Sequence, residues 1–119
     1  MFKTVAPFSF SRVVWYQGES DTGPGGARYY APLFRALVER WRADLRDAAL
    51  PFTLVQIADL AARDDARWHG VQDAQARAAG AIPHVTLVKS ADISTAADIH
   101  PPDKSALAKR LSDAQEENE

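Results

Sequence analysis

The sequence contains no cysteine, and no charge sign is in large excess. The lack of cysteine excludes a disulfide scaffold, a thiol nucleophile and thiolate metal ligands. No apolar run reaches the ~18 residues of a membrane-spanning helix, so we expect no membrane partner. The net charge is −2 at pH 7, and the basic residues form no stripe. This gives little support to a nucleic-acid partner. Residues 1–4 do not open a secretory leader, and the compartment stays undetermined.

The 119 residues, 46% of them hydrophobic and 25% charged, are typical of one globular domain. Apolar and β-branched runs alternate with segments of helical periodicity. They predict an α/β fold with three buried strands at residues 12–16, 52–57 and 84–88, and three helices at about 28–46, 64–79 and 103–116. This order predicts parallel strands joined by right-handed crossovers.

Two polar segments follow predicted strands. Residues 17–21 come directly after the first strand, and the loop of residues 90–102 follows the third. Ligands of open parallel sheets bind beyond the carboxyl ends of the strands. We therefore expect these two segments to converge at one edge of the sheet.

The run from Trp15 to Asp21 resembles a signature of the sialate O-acetylesterases, a carbohydrate-esterase branch of the SGNH hydrolases. Further matches follow in the family's order along nearly the whole chain. They are Val5-Ala6-Pro7, Tyr30, Phe34, Trp41-Arg42, Leu50-Pro51-Phe52, Trp68, Ala74-Gln75, Asp92, Asp98-Ile99-His100-Pro101, Lys104 and Arg110.

The resemblance implies an incomplete three-layer α/β/α fold of the SGNH (flavodoxin-like) type, with a parallel sheet of about three strands. It implies hydrolysis of acetyl esters on sialic acid or other sugars, without a cofactor. His100 matches the family's general base, and Glu19 its orienting acid. Asp98 competes for that role, although the superfamily prefers an aspartate three residues before its histidine. Gln17 and the Gly18 backbone N–H are the best candidates for oxyanion donors, because a glutamine amide can donate and glycine lets the backbone approach a substrate closely. Asp21 is a further candidate for substrate binding.

One expected part has no match. The family carries its nucleophilic serine in a Gly-Gln-Ser-like turn far upstream of the Trp-Tyr-Gln-Gly-Glu strand, and only eleven residues precede Arg12. No serine here follows a strand in a strand–turn–helix context. We therefore interpret residues 1–119 as a partial domain without its nucleophile segment, and expect weak activity alone. Gln72 also departs from the arginine that the family often has.

Plainer interpretations stay open. The pair His100-Pro101 is also typical of a surface turn. Trp15, Trp41 and Trp68 are expected to pack in the core rather than to stack on sugars. The charged residues 39–46 are typical of a solvated helix face. His69 and His84 have no metal-ligand spacing to His100, so we expect no metal site. A catalytically inactive fragment or a glycan-binding module is the alternative function, and an exposed sheet edge near Val14 predicts self-association.

Overall fold

The predicted alternation of strands and helices is confirmed. A computed structural model of the protein describes residues 2–5, 7–93 and 103–116. The main elements are α1 (Phe2–Val5), β1 (Val13–Tyr16), α2 (Gly26–Leu45), β2 (Phe52–Val55), α3 (Ala66–Ala81), β3 (Val85–Val88) and α4 (Ser105–Glu116). Short 3-10 turns lie at Glu19–Thr22, Ala61–Arg63 and Ala91–Ile93. None of the described helices has the length and apolar character needed to cross a membrane.

The three strands form one parallel sheet in the order β1-β2-β3. Val13 pairs with Phe52, and Phe52 pairs with Val85, so the carboxyl ends of all three strands lie at the same edge. All four residues of β2 are buried. A central strand covered on both faces reads as a continuous apolar run rather than an alternating one, and this explains the sequence of β2.

Helices cover both faces of the sheet and give it three layers. On one face, Phe52 and Leu54 pack against α2 and α3 in the larger core. On the other face, Val55 and Val88 pack against α4 through Leu107. Full burial of a large apolar side chain contributes roughly 1.5–3 kcal/mol, so these contacts dominate the stability of the layers.

The apolar stripe of α2 buries Tyr30, Phe34 and Val38 against the sheet. Trp15 meets Trp41 edge-on with ring centroids 6.1 Å apart, and Trp68 is 3% exposed. The three tryptophans thus lie in or against the larger core, as expected. Helix α2 ends at Leu45, because the next residue, Arg46, has a left-handed backbone with φ 57°. The helix thus ends before the Leu50-Pro51 pair.

One expectation for α2 was wrong. Arg42 belongs to the charged run that we expected to be a solvated helix face. Instead its guanidinium donates to the carbonyl oxygens of Leu50, at 3.1 and 3.0 Å, and of Pro83, at 2.8 Å. These bonds tie α2 to the segments that enter β2 and β3.

Helix α3 begins at a capping aspartate, Asp65. The Oδ1 atom of Asp65 accepts from the backbone N–H groups of Arg67 and Trp68 at 2.9 and 3.0 Å. The cap stabilises the start of the helix by giving partners to two N–H groups that have none within the helix. The helix continues through Gly80 to Ala81, two residues beyond the predicted end.

Strand β1 lies at the edge of the described sheet, and Val14 on it is 46% exposed. An open strand with an exposed apolar side chain is a template for pairing with another chain. We expect the isolated protein to dimerise or aggregate with rising concentration in light scattering. Val14→Lys should reduce this association, because charge on an edge strand opposes pairing. A monomer at every concentration tested would contradict the expectation.

Candidate functional site

The turn after β1 is built by short hydrogen bonds. The Asp21 N–H donates to the Gly18 carbonyl oxygen at 3.0 Å, and the Thr22 hydroxyl donates to the Glu19 carbonyl oxygen at 2.7 Å. Together they close the 3-10 turn Glu19–Thr22 at the carboxyl edge of the sheet. The turn therefore lies where open parallel sheets bind their ligands.

Gln17 and Asp21 are brought together within this turn. The Gln17 side-chain Nε2 donates to Asp21 Oδ2 at 2.6 Å. A carboxylate accepts but cannot donate, so this bond fixes which end of the Gln17 amide is the NH2 group. The NH2 group carries a second N–H, and this leaves Gln17 a donor for an oxygen atom of a ligand.

Gly18 is buried and packs closely against the interior. A Cβ atom placed at this position would lie 2.8 Å from Gln75 Nε2 and 2.9 Å from Ile57 Cγ2, at a φ of 157°. A side chain here is therefore excluded by space as well as disfavoured by the backbone. Among the described residues no acceptor contacts the Gly18 N–H, so this group is a candidate oxyanion donor.

The backbone carbonyl of Gln17 points the other way, into the helical layer. It accepts from the Tyr30 hydroxyl at 2.8 Å and from Gln75 Nε2 at 3.0 Å. Burial raises the pKa of Tyr30, and the nearby carboxylates Asp21 and Glu19 raise it further, although its hydrogen bonds act in the opposite direction. The hydroxyl therefore stays protonated and able to donate at neutral pH.

Tyr16 connects this turn to helix α4. Burial raises the pKa of its hydroxyl, and the negative charge of Glu19 adds to the shift. The Lys104 Nζ atom lies 5.5 Å from the centre of the Tyr16 ring, within the range of a cation–π contact. Lys104 immediately precedes α4, so the start of that helix lies against the end of β1.

His100 and Asp98 lie outside the described residues. The segments that flank them are described, and both reach the carboxyl edge of the sheet. Ile93 packs with Val55 and Val88 in the smaller core, and Lys104 lies over the Tyr16 ring. The described residues on either side of His100 therefore lie at the edge that holds Gln17 and Gly18.

The base of this loop is held by one ion pair. Arg110 on α4 donates to both carboxylate oxygens of Asp92, at 2.7 and 2.6 Å, and also to the Lys89 carbonyl oxygen at 2.8 Å. The two parallel bonds match the planar guanidinium to the planar carboxylate. They connect the 3-10 turn Ala91–Ile93 to α4 on either side of the loop.

The Arg110 bonds lower the pKa of Asp92 from 3.8 to about 2. A carboxylate whose pKa falls on folding stabilises the folded state above its unfolded pKa, and this contribution is lost as the pH falls through the folded value. We expect the stability difference between the protein and its Asp92→Asn variant to be constant from about pH 7 to 5 and to shrink between about pH 4 and 2. Urea unfolding at several pH values measures it. A difference unchanged at the acid end would contradict the pairing.

Gln72 stands where the family often has arginine, and it has partners here. Its Nε2 donates to Asp59 Oδ1 at 2.8 Å, and its Oε1 lies 2.9 Å from His69 Nδ1. His69 Nε2 lies 2.6 Å from Asp64 Oδ1, and this bond raises the pKa of His69. Both ring nitrogens of His69 thus have a partner at the surface, Gln72 on one side and Asp64 on the other. No cluster of three metal-ligating side chains occurs in the described part of the chain.

Ser90 lies just after β3 and has a structural role. It is 2% exposed and donates from its hydroxyl to the Gln56 carbonyl oxygen at 2.5 Å. A groove of about 390 Å³ opens instead beside the outer edge of β1. Its lining residues are Trp15, Gln17, Asp21, Tyr30, Leu33, Phe34 and Leu37.

The sequence did not single out Gln75 or the Tyr30 hydroxyl as part of the site. Gln75 is completely buried on the apolar side of α3. A glutamine at an inward position of a helix must find hydrogen-bond partners, and this was the signal available in the sequence.

The chain is similar to known carbohydrate esterases. Residues 3–115 match the family described as carbohydrate esterase, sialic acid-specific acetylesterase. The sialate O-acetylesterases of Homo sapiens and Pongo abelii are each 31% identical to the chain over 93% of its length. The chain spans 24% of the length of these curated relatives.

Two solved structures share the fold. A carbohydrate acetylesterase from Xanthomonas citri superposes with a TM-score of 0.84 at 34% identity, covering 90% of this chain and 26% of that one. A protein from Arabidopsis thaliana superposes with a TM-score of 0.67 at 26% identity, covering 95% and 46%. The sheet and helices therefore match part of an SGNH-type carbohydrate esterase. From the family match, the curated relatives and the shared fold together, the chain belongs to the sialic acid-specific acetylesterase family of carbohydrate esterases.

Proposed function

We propose that this chain supplies the oxyanion donors, the histidine and the orienting acid of a carbohydrate O-acetylesterase. The observation that carries the proposal is the turn after β1. There a buried glycine and a glutamine held by Asp21 at 2.6 Å present N–H groups at the carboxyl edge of a parallel sheet. Donors fixed before the reaction begins are what acyl transfer requires.

The first half of the reaction forms an acetyl-enzyme. A serine Oγ attacks the acetyl carbon while His100 takes its proton, and the negative charge moves to the carbonyl oxygen. The Gly18 N–H and the Gln17 amide receive this oxygen. Removal of one such donor in other hydrolases costs about 2.7–4 kcal/mol of transition-state stabilisation.

Loss of the sugar alcohol completes this first half, and a second half returns the serine. The tetrahedral intermediate collapses, the bond to the sugar oxygen breaks, and His100 gives its proton to the leaving alcohol. In the second half, water attacks the acetyl carbon while His100 takes its proton. The bond from that carbon to the serine Oγ then breaks, His100 returns the proton to Oγ, and acetate leaves. Glu19 is our choice for the carboxylate that orients His100, with Asp98 as its competitor. Asp21 serves the substrate site by holding the Gln17 amide.

We place the nucleophilic serine on a further polypeptide segment that borders the open side of β1. Two features support this placement. Ser90 is buried, and its hydroxyl donates to the Gln56 carbonyl oxygen. The groove beside β1 is lined by Gln17 itself. A serine delivered there would lie next to the proposed oxyanion donors.

Hydrolysis of an aryl acetate by the isolated chain tests the proposal. Without a triad member the rate falls by factors on the order of 10⁴, so we expect little turnover above that of the His100→Ala variant. A fast rate that is abolished by a serine-directed inhibitor would show that the chain carries its own nucleophile. Tight binding of plain and acetylated sugars without turnover would favour a glycan-binding module instead.

A further inference from the structure

Gln75 is a polar side chain with 0% exposure in the interior of the larger core. Burial of an amide without partners is strongly unfavourable, so the contacts of Gln75 must compensate for it. Its Oε1 accepts from the Ile57 N–H at 2.9 Å, and its Nε2 donates to the Gln17 carbonyl oxygen at 3.0 Å and to the Tyr30 hydroxyl at 3.1 Å. One side chain on α3 thus joins the ends of β1 and β2 with α2.

Two of these groups converge on the same atom. The Tyr30 hydroxyl donates to the Gln17 carbonyl oxygen at 2.8 Å, so that oxygen accepts from both Tyr30 and Gln75. Both donors come from the helical layer formed by α2 and α3. The carbonyl is therefore directed into that layer by two bonds rather than one.

The direction of this carbonyl fixes the direction of the next N–H. The Gln17 carbonyl and the Gly18 N–H belong to one peptide group, which is planar and trans, so the two bonds point in opposite directions. With the carbonyl held toward α2 and α3, the Gly18 N–H points away from them. Close packing reinforces the arrangement, because a Cβ on Gly18 would lie 2.8 Å from Gln75 Nε2.

We propose that Gln75, with Tyr30, is a positioning residue that sets the orientation of the Gln17–Gly18 peptide. Neither side chain acts on the substrate itself. The link to catalysis rests on the proposed function, in which the Gly18 N–H receives the oxyanion. The orientation of the peptide does not depend on that function.

Two variants remove the two bonds separately. Gln75→Met keeps the length and volume of the side chain but removes its donor and acceptor. Tyr30→Phe removes only the hydroxyl and is the milder change if Gln75→Met fails to fold. Val38→Ala is the control, because Val38 is equally buried in the same core but lies two helical turns along α2 from Tyr30.

The measurement is amide NMR of the whole chain with hydrogen exchange. We expect both variants to shift the Gly18 resonance. They should also accelerate exchange of the Asp21 N–H, which donates to the Gly18 carbonyl, by roughly 5- to 10-fold relative to the control. Unchanged Gly18 and Asp21 signals in Tyr30→Phe, with only a lower melting temperature, would overturn the inference.

These readouts separate the inference from the proposed function. One outcome is that the variants change the Gly18 and Asp21 signals while the chain shows no esterase activity, alone or in a chimera. That result would support the positioning role of Gln75 and Tyr30 and would rule out the proposed catalytic role of the turn. A turn that does not move in a chain shown to be active leaves the esterase assignment intact and ends the positioning proposal.

Discussion

Replacing the matching quarter of the Xanthomonas citri acetylesterase with this chain is expected to give an active esterase, and His100→Ala in that chimera should lower kcat by about 10⁴. The structural match makes the exchange feasible, because 90% of this chain superposes with a TM-score of 0.84. The loss is large because in the proposed mechanism His100 acts twice, as base toward the nucleophile and as acid toward the leaving alcohol. Turnover of an aryl acetate and of an acetylated sugar measures it.

His84→Ala is the matched control for this prediction. His84 lies just before β3, at the opposite edge of the sheet from Gln17, and is exposed. Its replacement should leave kcat within about twofold, as expected for a surface substitution away from the site. Equal losses in the two variants would show that stability rather than chemistry is affected. An unchanged rate in His100→Ala would remove His100 from the mechanism.

Gly18→Ala is expected to destabilise the protein by about 3 kcal/mol. The added Cβ would meet Gln75 Nε2 at 2.8 Å and Ile57 Cγ2 at 2.9 Å. Gln75 cannot move aside freely, because its amide is held by Ile57, Gln17 and Tyr30. Overpacking of a filled interior typically costs 1–3 kcal/mol, and the positive φ adds strain.

Gly80→Ala offers a control of opposite sign. Gly80 lies inside α3 with nothing within 4 Å of its added Cβ. Alanine in place of a helical glycine should stabilise by about 0.5–1 kcal/mol. Chemical denaturation of both variants gives the comparison. A Gly18→Ala protein as stable as the original would show that the turn is not packed against α3 as described.

The sequence predicted the elements well because their signals are local. Buried strands were predicted at all three apolar runs; this is correct for β2, whereas Val14 on β1 is 46% exposed. The helical periodicity predicted α2, which buries Tyr30 and Phe34. The polar turn after β1 could also be placed, since the edge that binds ligands follows from strand order alone.

The parts that could not be predicted depend on partners far apart in sequence. Arg42 looked like one charge of a solvated run, yet it bonds to the Pro83 carbonyl 41 residues away. Gln75 bonds to Gln17, 58 residues earlier. Such contacts exist only once the layers have assembled, so periodicity and motif spacing do not reveal them.

We expect the turn after β1 and the segment that carries His100 to meet at one edge of the sheet. The chain has no cysteine, so paired substitutions can be cross-linked without background. Glu19→Cys with His100→Cys should be joined rapidly by a short bis-maleimide, and His84→Cys with His100→Cys should not. Efficient linkage of the second pair and none of the first would contradict the account.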